Sequence, residues 1–315
     1  MYIIYPCRDE YRTDHRSMHD LAETVRHWIR RILRLSSLKG PSFIQGVLIR
    51  CYLSRLNRAV RYFMDGVEET IFWGSKMQIN TGEYLGFTVF LGEQDNSPEI
   101  SKLVELSRDA KLFADIGGNI GLIAIPLAIN SPNLEVHAFE PDIRNRLLFE
   151  KNLRLNPTIG ERLKIVPKAV GELNGEVLFH SDSDNFGTGR IVAEKINATC
   201  SVISTTADAY FATLNRYPDL IKIDVEGAEL MVLKGMKDIL LHHPPFGIFV
   251  EIHSYSAPEP NLFKEEIRHI LMSSGYRLYH PYIGEKLEQA LWEDPAQWPM
   301  HFPLLALHIN WHKTS

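Results

Sequence analysis

Leu112-Phe113-Ala114-Asp115-Ile116-Gly117-Gly118-Asn119-Ile120-Gly121 is the stretch that decides the fold. It reads as a buried strand that ends in an acid, then a glycine turn that opens a helix. Outward from it, strands and helices alternate. A helix over Pro98–Arg108 precedes it. A helix over Ile120–Asn130 follows, then strand Glu135–Phe139, helix Asp142–Leu155 and strand Leu163–Ala169. After a β-rich stretch at Glu176–Ser204 and a helix near Ala207–Leu214, the alternation resumes. It runs through strand Leu220–Asp224, helix Ala228–Leu241, strand Phe246–Ile252 and helix Asn261–Ser274. Such alternation means βαβ crossovers and a mostly parallel sheet. Strands Tyr276–His280 and Leu304–Asn310 have no clear helix between them, so the C-terminal strand is expected antiparallel. Lys76–Leu91 reads as short strands about a turn at Thr81-Gly82.

In an open sheet of this kind, ligands bind outside the carboxyl ends of the strands, where the strand order reverses. The ligand follows from the loop itself. A dinucleotide fingerprint needs glycines where Asn119 and Leu122 stand, and a Walker A loop needs a lysine that this loop lacks. Instead an acid, Asp115, precedes the first glycine by two residues. A carboxylate repels a pyrophosphate but suits the ammonium and sulfonium of S-adenosyl-L-methionine. Gly117 and Gly121 permit close backbone approach, and Asn119 lies between them. Glu140 ends the next strand, where an acid accepts from ribose hydroxyls. Asp224 ends the strand Leu220–Asp224, with Glu226 and Glu229 just beyond. Asp115, Gly117, Asn119, Gly121, Glu140 and Asp224 are the expected cofactor residues. Glu229 reads mainly as a first-turn acid complementing the helix dipole.

Glu251 and His253 close the following strand and fall on one side of it by alternation. An unperturbed imidazole titrates near pH ~6.5. His253 is therefore the first candidate for a general base, followed by Glu226 and Glu251. A divalent ion on Asp224 and neighbouring acids is the other way to activate a hydroxyl. Its ligand set is incomplete in the sequence, and no metal site is assigned.

The chain has 315 residues and a formal net charge of −5. Residues 1–63 hold 12 Lys+Arg against 5 Asp+Glu, which leaves 22 basic against 34 acidic residues in the rest. This asymmetry separates an N-terminal helical region, residues 1–75, from a domain over 76–315. Met18, Leu21, Ala22, Val25, Trp28, Ile29 and Ile32 recur at helical spacing, and Phe43–Phe63 continues after Gly40-Pro41. The pair reads as a helical hairpin on the main domain or a second subunit, hence a homo-oligomer, or else as a basic surface for peripheral membrane contact. No nucleic-acid recognition module is present. Three cysteines without CxxC spacing speak against a disulfide framework or structural zinc and point to a reducing, cytoplasmic setting. No stretch has the length and apolarity of a membrane span.

The four pieces around Asp115, Glu140, Asp224 and Glu251, in this order, resemble the FkbM family of methyltransferases. The similarity runs from about Lys76 to His253, with Lys222–Glu229 its most specific part. Asn152, Asn185-x-Gly187 and Leu233-x-Gly235 also fit, whereas Gly118 stands where the family typically has alanine. The resemblance implies a class I methyltransferase Rossmann-like sheet in strand order 3-2-1-4-5-7-6, with S-adenosyl-L-methionine over the first loop. It implies O-methylation of a small-molecule or glycan hydroxyl acceptor. The rival readings are a non-catalytic cofactor-binding adaptor and a nicotinamide-dependent oxidoreductase, whose fingerprint fails.

Overall fold

The computed structural model describes residues 66–311 apart from 82, 91, 93, 182–188, 193–196 and 282–297. The expected helices within residues 1–65 and the Asn185-x-Gly187 piece lie outside the described residues. The described chain opens with an antiparallel hairpin, β1 (Val67–Phe72) and β2 (Ser75–Asn80). This hairpin straddles the expected domain boundary at residue 75. Two helices follow, α1 (Tyr84–Phe90) and α2 (Pro98–Ser107). Then come β3 (Leu112–Ile116), α3 (Ala124–Asn130), β4 (Glu135–Phe139), α4 (Ile143–Arg154) and β5 (Leu163–Val166). A smaller β-rich part contains β6 (Ala169–Val170), β7 (Gly175–His180), β8 (Arg190–Ile191) and β9 (Cys200–Thr205). The remainder is α5 (Ala207–Leu214), β10 (Leu220–Ile223), α6 (Glu229–Lys234), α7 (Lys237–His242), β11 (Gly247–His253), α8 (Pro260–Ser273), β12 (Tyr276–Tyr279) and β13 (His301–His308).

The main sheet has seven strands in the order β12-β13-β11-β10-β3-β4-β5. Counted in chain order within this sheet, that is 3-2-1-4-5-7-6. Strands β11, β10, β3, β4 and β5 pair in parallel, and β13 pairs antiparallel with both β11 and β12. The strand order reverses between β3 and β10, which places the switch point beside the Asp115–Gly121 loop. The β-rich stretch forms a separate four-stranded sheet, β6-β9-β7-β8.

Alternation sets the two faces. Phe113, Leu220 and Phe249 pack into one apolar layer, while Ala114, Ile116, Ile221, Ile223, Val250 and Ile252 pack into the other. Each fully buried phenylalanine, leucine, isoleucine or valine among them contributes about 1.5–3 kcal/mol. The same period puts Asp115, Lys222, Glu251 and His253 on the Phe113 face, at the carboxyl ends of three neighbouring strands. Lys222 lies directly opposite Asp115 in the ladder.

The helix ends follow their sequence. Ser97, Asp142 and Thr206 cap α2, α4 and α5 by accepting from the amides of Ile100, Arg144 and Ala209. Asn152 and Asn156 project from the end of α4 and tie it to the hairpin. Asn152 accepts from Gln78 N at 2.6 Å and donates to Ile120 O at 2.9 Å, and Asn156 bonds both backbone groups of Lys76. Thus an asparagine ladder, and not a sheet ladder, holds β2 beside the glycine loop.

Two expected elements differ. Tyr84–Phe90 is a helix, not a strand after the Thr81-Gly82 turn: Leu85, Thr88 and Val89 recur at helical spacing, and the last two are buried. The single helix expected over Ala228–Leu241 breaks into α6 and α7. Gly235 sits at the break, where a Cβ would come within 2.0 Å of Gly171 O. Among the described residues no helix is long and apolar enough to cross a membrane.

Candidate active site

The glycine loop is strung between two strand ends. Gly117 N and Gly118 N both donate to Phe139 O, at 3.1 and 2.8 Å. Gly117 has φ +96°, and a Cβ on it would stand 1.8 Å from Asp224 O. Only glycine fits this crossing. Asn119 turns the loop with φ 48°, and its Oδ1 accepts from Ile120 N at 2.7 Å. Glu140 then fastens the loop: its Oε2 accepts from Asn119 N and its Oε1 from Asp142 N, each at 2.8 Å. Glu140 is 5% exposed. Burial pushes its carboxyl up to about 8, although the two amides favour the ionised form.

A cleft opens over this loop. Gly117, Asn119, Glu140, Asp224 and Glu226 line its floor. Phe179, Arg190 and Ile191, from the small sheet, line the other wall. The structure therefore brings five of the nine expected site residues to one cleft. Gly121 packs beneath the Phe149 ring, and Asp115 is fully buried behind the loop. Burial pushes the Asp115 carboxyl up to about 7, with the Lys222 ammonium pulling it back.

His253 lies next to the cleft, inside a ring of carboxylates. Its Nδ1 is 2.9 Å from Glu229 Oε1 and 4.0 Å from Asp224 Oδ1, and its Nε2 is 3.9 Å from Glu226 Oε2. Burial works against the imidazolium. The Glu229 hydrogen bond and the charges of Asp224, Glu229 and Glu226 outweigh it and push the imidazole up to about 9. The expectation of titration near 6.5 is thus corrected: His253 is a cation at neutral pH. Glu226 adopts φ 53° and accepts from the Tyr255 hydroxyl.

Behind this ring lies a second charge cluster. Lys222, 3% exposed, bonds Asp224 Oδ2 at 2.9 Å and faces Glu99 Oε1 of α2 at 3.7 Å. Burial pushes the Glu99 carboxyl well above its usual range, with the Lys222 ammonium pulling it back. Burial also opposes the Glu251 carboxylate, yet His301, Lys222 and Glu99 hold it down at about 2. So ionised a carboxylate is a poor proton acceptor, and Glu251 is a counter-charge here. Among the described residues two groups have metal-ligand spacing, Asp224-Glu226-His253 and Glu251-His253-His301, with donor atoms within 4.8 Å of one another. Both require His253 to lose its proton first.

Sequence reasoning missed Lys222, Glu99, Tyr255 and the position of Glu229. The signal for Lys222 was a charge inside the apolar central strand Leu-Ile-Lys-Ile. Nothing in the sequence linked Glu99, on a helix 123 residues earlier, to that strand.

The sheet order, the glycine loop at the switch point and the acid ending β4 define a class I methyltransferase fold. Residues 115–278 match the Methyltransferase FkbM domain, which is just over half of the chain. The chain belongs to that family. It is 32% identical over 173 residues to the hexuronic acid methyltransferase AglP of Haloferax volcanii; this covers 53% of the chain and 65% of the relative. The chain thus spans just under two thirds of that curated relative. Among solved structures it is similar to the methyltransferase FkbM of Methylobacillus flagellatus KT, at 19% identity and TM-score 0.42, over 71% of this chain and 54% of that one. It is also similar to TYW2 of M. jannaschii, solved with AdoMet, at 12% identity and TM-score 0.39, over 77% and 84% of the two chains.

Proposed function

We propose that the chain is an S-adenosylmethionine-dependent O-methyltransferase whose acceptor is a hydroxyl of a small molecule, a sugar or a glycan or lipid precursor. The observation that carries this reading is the charge pattern of one cleft. At one end Glu140, held by two amides, keeps lone pairs free for ribose hydroxyls. At the other, Asp224 and Glu226 present carboxylates that favour a cation. The residues fit the cofactor on both counts, and Glu140, Gly117, Asn119, Asp224, with Asp115 and Gly121 behind them, would hold it. When bound, the cofactor supplies a methyl group made electrophilic by the sulfonium. The cleft aligns an acceptor oxygen with that methyl, which is catalysis by proximity.

A neutral hydroxyl attacks better as it loses its proton. His253 Nε2, on the Glu226 side, receives that proton once the imidazole is neutral. Tyr255 holds Glu226 in place beside it. A sugar acceptor is favoured by the 32% identity to a hexuronic acid methyltransferase. The cytoplasmic setting, the homo-oligomer, the domain boundary at 75/76 and the role of residues 1–75 are further proposals that rest on the sequence.

The test is transfer. Purified protein with S-adenosylmethionine and a panel of sugars that includes hexuronic acids should yield a product heavier by one methylene. Fragmentation should place the methyl on oxygen. Methyl transfer only to nitrogen or carbon acceptors would overturn the O-methyl reading.

A further inference from the structure

We infer that Glu229 is the positioning residue for His253, fixing the imidazole so that Nε2, and not Nδ1, faces the reacting hydroxyl. The inference rests on the reading of His253 as the base.

Glu229 opens α6 and is 0% exposed. An acid in a first helical turn that served only the helix dipole would lie in solvent, where such contacts are worth ~0.3–1 kcal/mol. Glu229 instead points inward, and one oxygen does two jobs. Its Oε1 accepts from Gly227 N at 2.9 Å, which fixes the loop that carries Glu226, and from His253 Nδ1 at 2.9 Å. The Nδ1 proton therefore stays on the side away from the cleft. A histidine whose one nitrogen is tied to a carboxylate has its tautomer and ring plane set, and the other nitrogen is left for chemistry.

The surroundings complete the constraint. The His301 ring stacks on His253 with centroids 4.6 Å apart at 13°, and Tyr255 meets it edge-on at 5.7 Å. Besides Glu229, the charged and titratable groups that face the imidazole are Asp224, beyond β10, Glu226, in the loop before α6, Glu251, on β11, and His301, on β13. Asp224 and Glu226 border the cleft, where a bound cation competes for them. Glu229, fully buried behind the histidine, keeps its hold whatever the cleft contains. The transfer balances with the imidazole neutral: the methyl would leave a sulfonium sulfur, which keeps the electron pair as a thioether, the acceptor oxygen takes the methyl, and its O–H proton goes to the free Nε2.

The experiment is a histidine titration by NMR of the full chain, wild type and Glu229→Gln, without cofactor, beside steady-state kinetics. In wild type His253 should titrate near 9 and show a downfield Nδ1 proton. In Glu229→Gln the titration should fall toward 6.5 and the downfield proton should vanish. Turnover at about pH 9.5, where the imidazole is mainly neutral in both proteins, should drop on the order of 10–100-fold, as when a carboxylate that orients a functional histidine is lost. S-adenosylmethionine affinity should change far less than turnover. If Glu229→Gln does not fold, Glu229→Asp serves: the shorter arm keeps the charge but withdraws from Nδ1, and turnover should fall while the imidazole stays cationic. An unchanged His253 titration in Glu229→Gln, or wild-type turnover in Glu229→Asp, overturns the inference alone. Full turnover in His253→Asn overturns the base reading and this inference with it.

Discussion

Replacing Glu140 by glutamine removes one charge and one acceptor while keeping shape. Both carboxyl oxygens of Glu140 accept from backbone amides, Asn119 N and Asp142 N, each at 2.8 Å. Glutamine has one carbonyl oxygen, so its NH2 must face one of the two N–H groups. That amide is left buried without an acceptor, at a cost of about 1–3 kcal/mol. The ribose of a bound adenosine would lose a charged acceptor worth about 1.5–3 kcal/mol. The first cost falls on folding and on the Asn119 loop, the second on the cofactor. Affinity for S-adenosylmethionine should therefore weaken by roughly 10–150-fold, at about 1.4 kcal/mol per decade. Titration calorimetry on wild type and Glu140→Gln at about pH 9, where the Glu140 carboxyl is ionised, reads this directly, and thermal unfolding reads the folding share. Unchanged affinity with an intact fold would refute both the bracing role of Glu140 and its place in the cofactor site.

Gly117→Ala should be more severe. The φ of +96° alone costs an alanine about 1–3 kcal/mol, and its Cβ would overlap Asp224 O at 1.8 Å, so differential scanning should show a lower Tm with cofactor binding lost. Wild-type binding in a folded Gly117→Ala protein would contradict the described crossing. Stability without cofactor should fall as pH rises. The His253 pKa is raised from 6.5 to about 9, so its contribution, on the order of 3 kcal/mol, is full below 6.5 and gone above 9. Glu140, raised from 4.5 to about 8, changes stability with the same sign. Urea unfolding at about pH 6 and pH 9.5 measures this, and greater stability at the higher pH would show the His253 reading to be wrong. A chelator should leave turnover intact if His253 is the base; loss on chelation with recovery on Mg²⁺ would transfer the role to a metal on Asp224, Glu226 and His253.

The parallel sheet was legible because its strands are short apolar runs punctuated by glycine and acid, as at Asp115-Ile116-Gly117. Glu140 and Asp224 were legible because a charge that ends an apolar strand in a βα unit lies where ligands bind. Lys222 and Glu99 were not, since their pairing joins α2 to β10 across the sheet, and no local period records it. Glu229 misled because acids in first helical turns are ordinarily solvated, whereas burial against His253 makes this one a partner. The same burial and carboxylate ring overturned the ordinary imidazole titration expected of His253. The segment Tyr84–Phe90 was misread because Leu85, Thr88 and Val89 sit in a stretch too short for period to separate helix from strand.

The central claim is that the cleft over Gly117, Asn119 and Glu140 takes S-adenosylmethionine. Equilibrium binding of S-adenosylmethionine and of NAD to the same wild-type preparation tests it most directly. The account predicts saturable binding of S-adenosylmethionine that Glu140→Gln weakens, and no binding of NAD. Saturable binding of NAD with none of S-adenosylmethionine would contradict it.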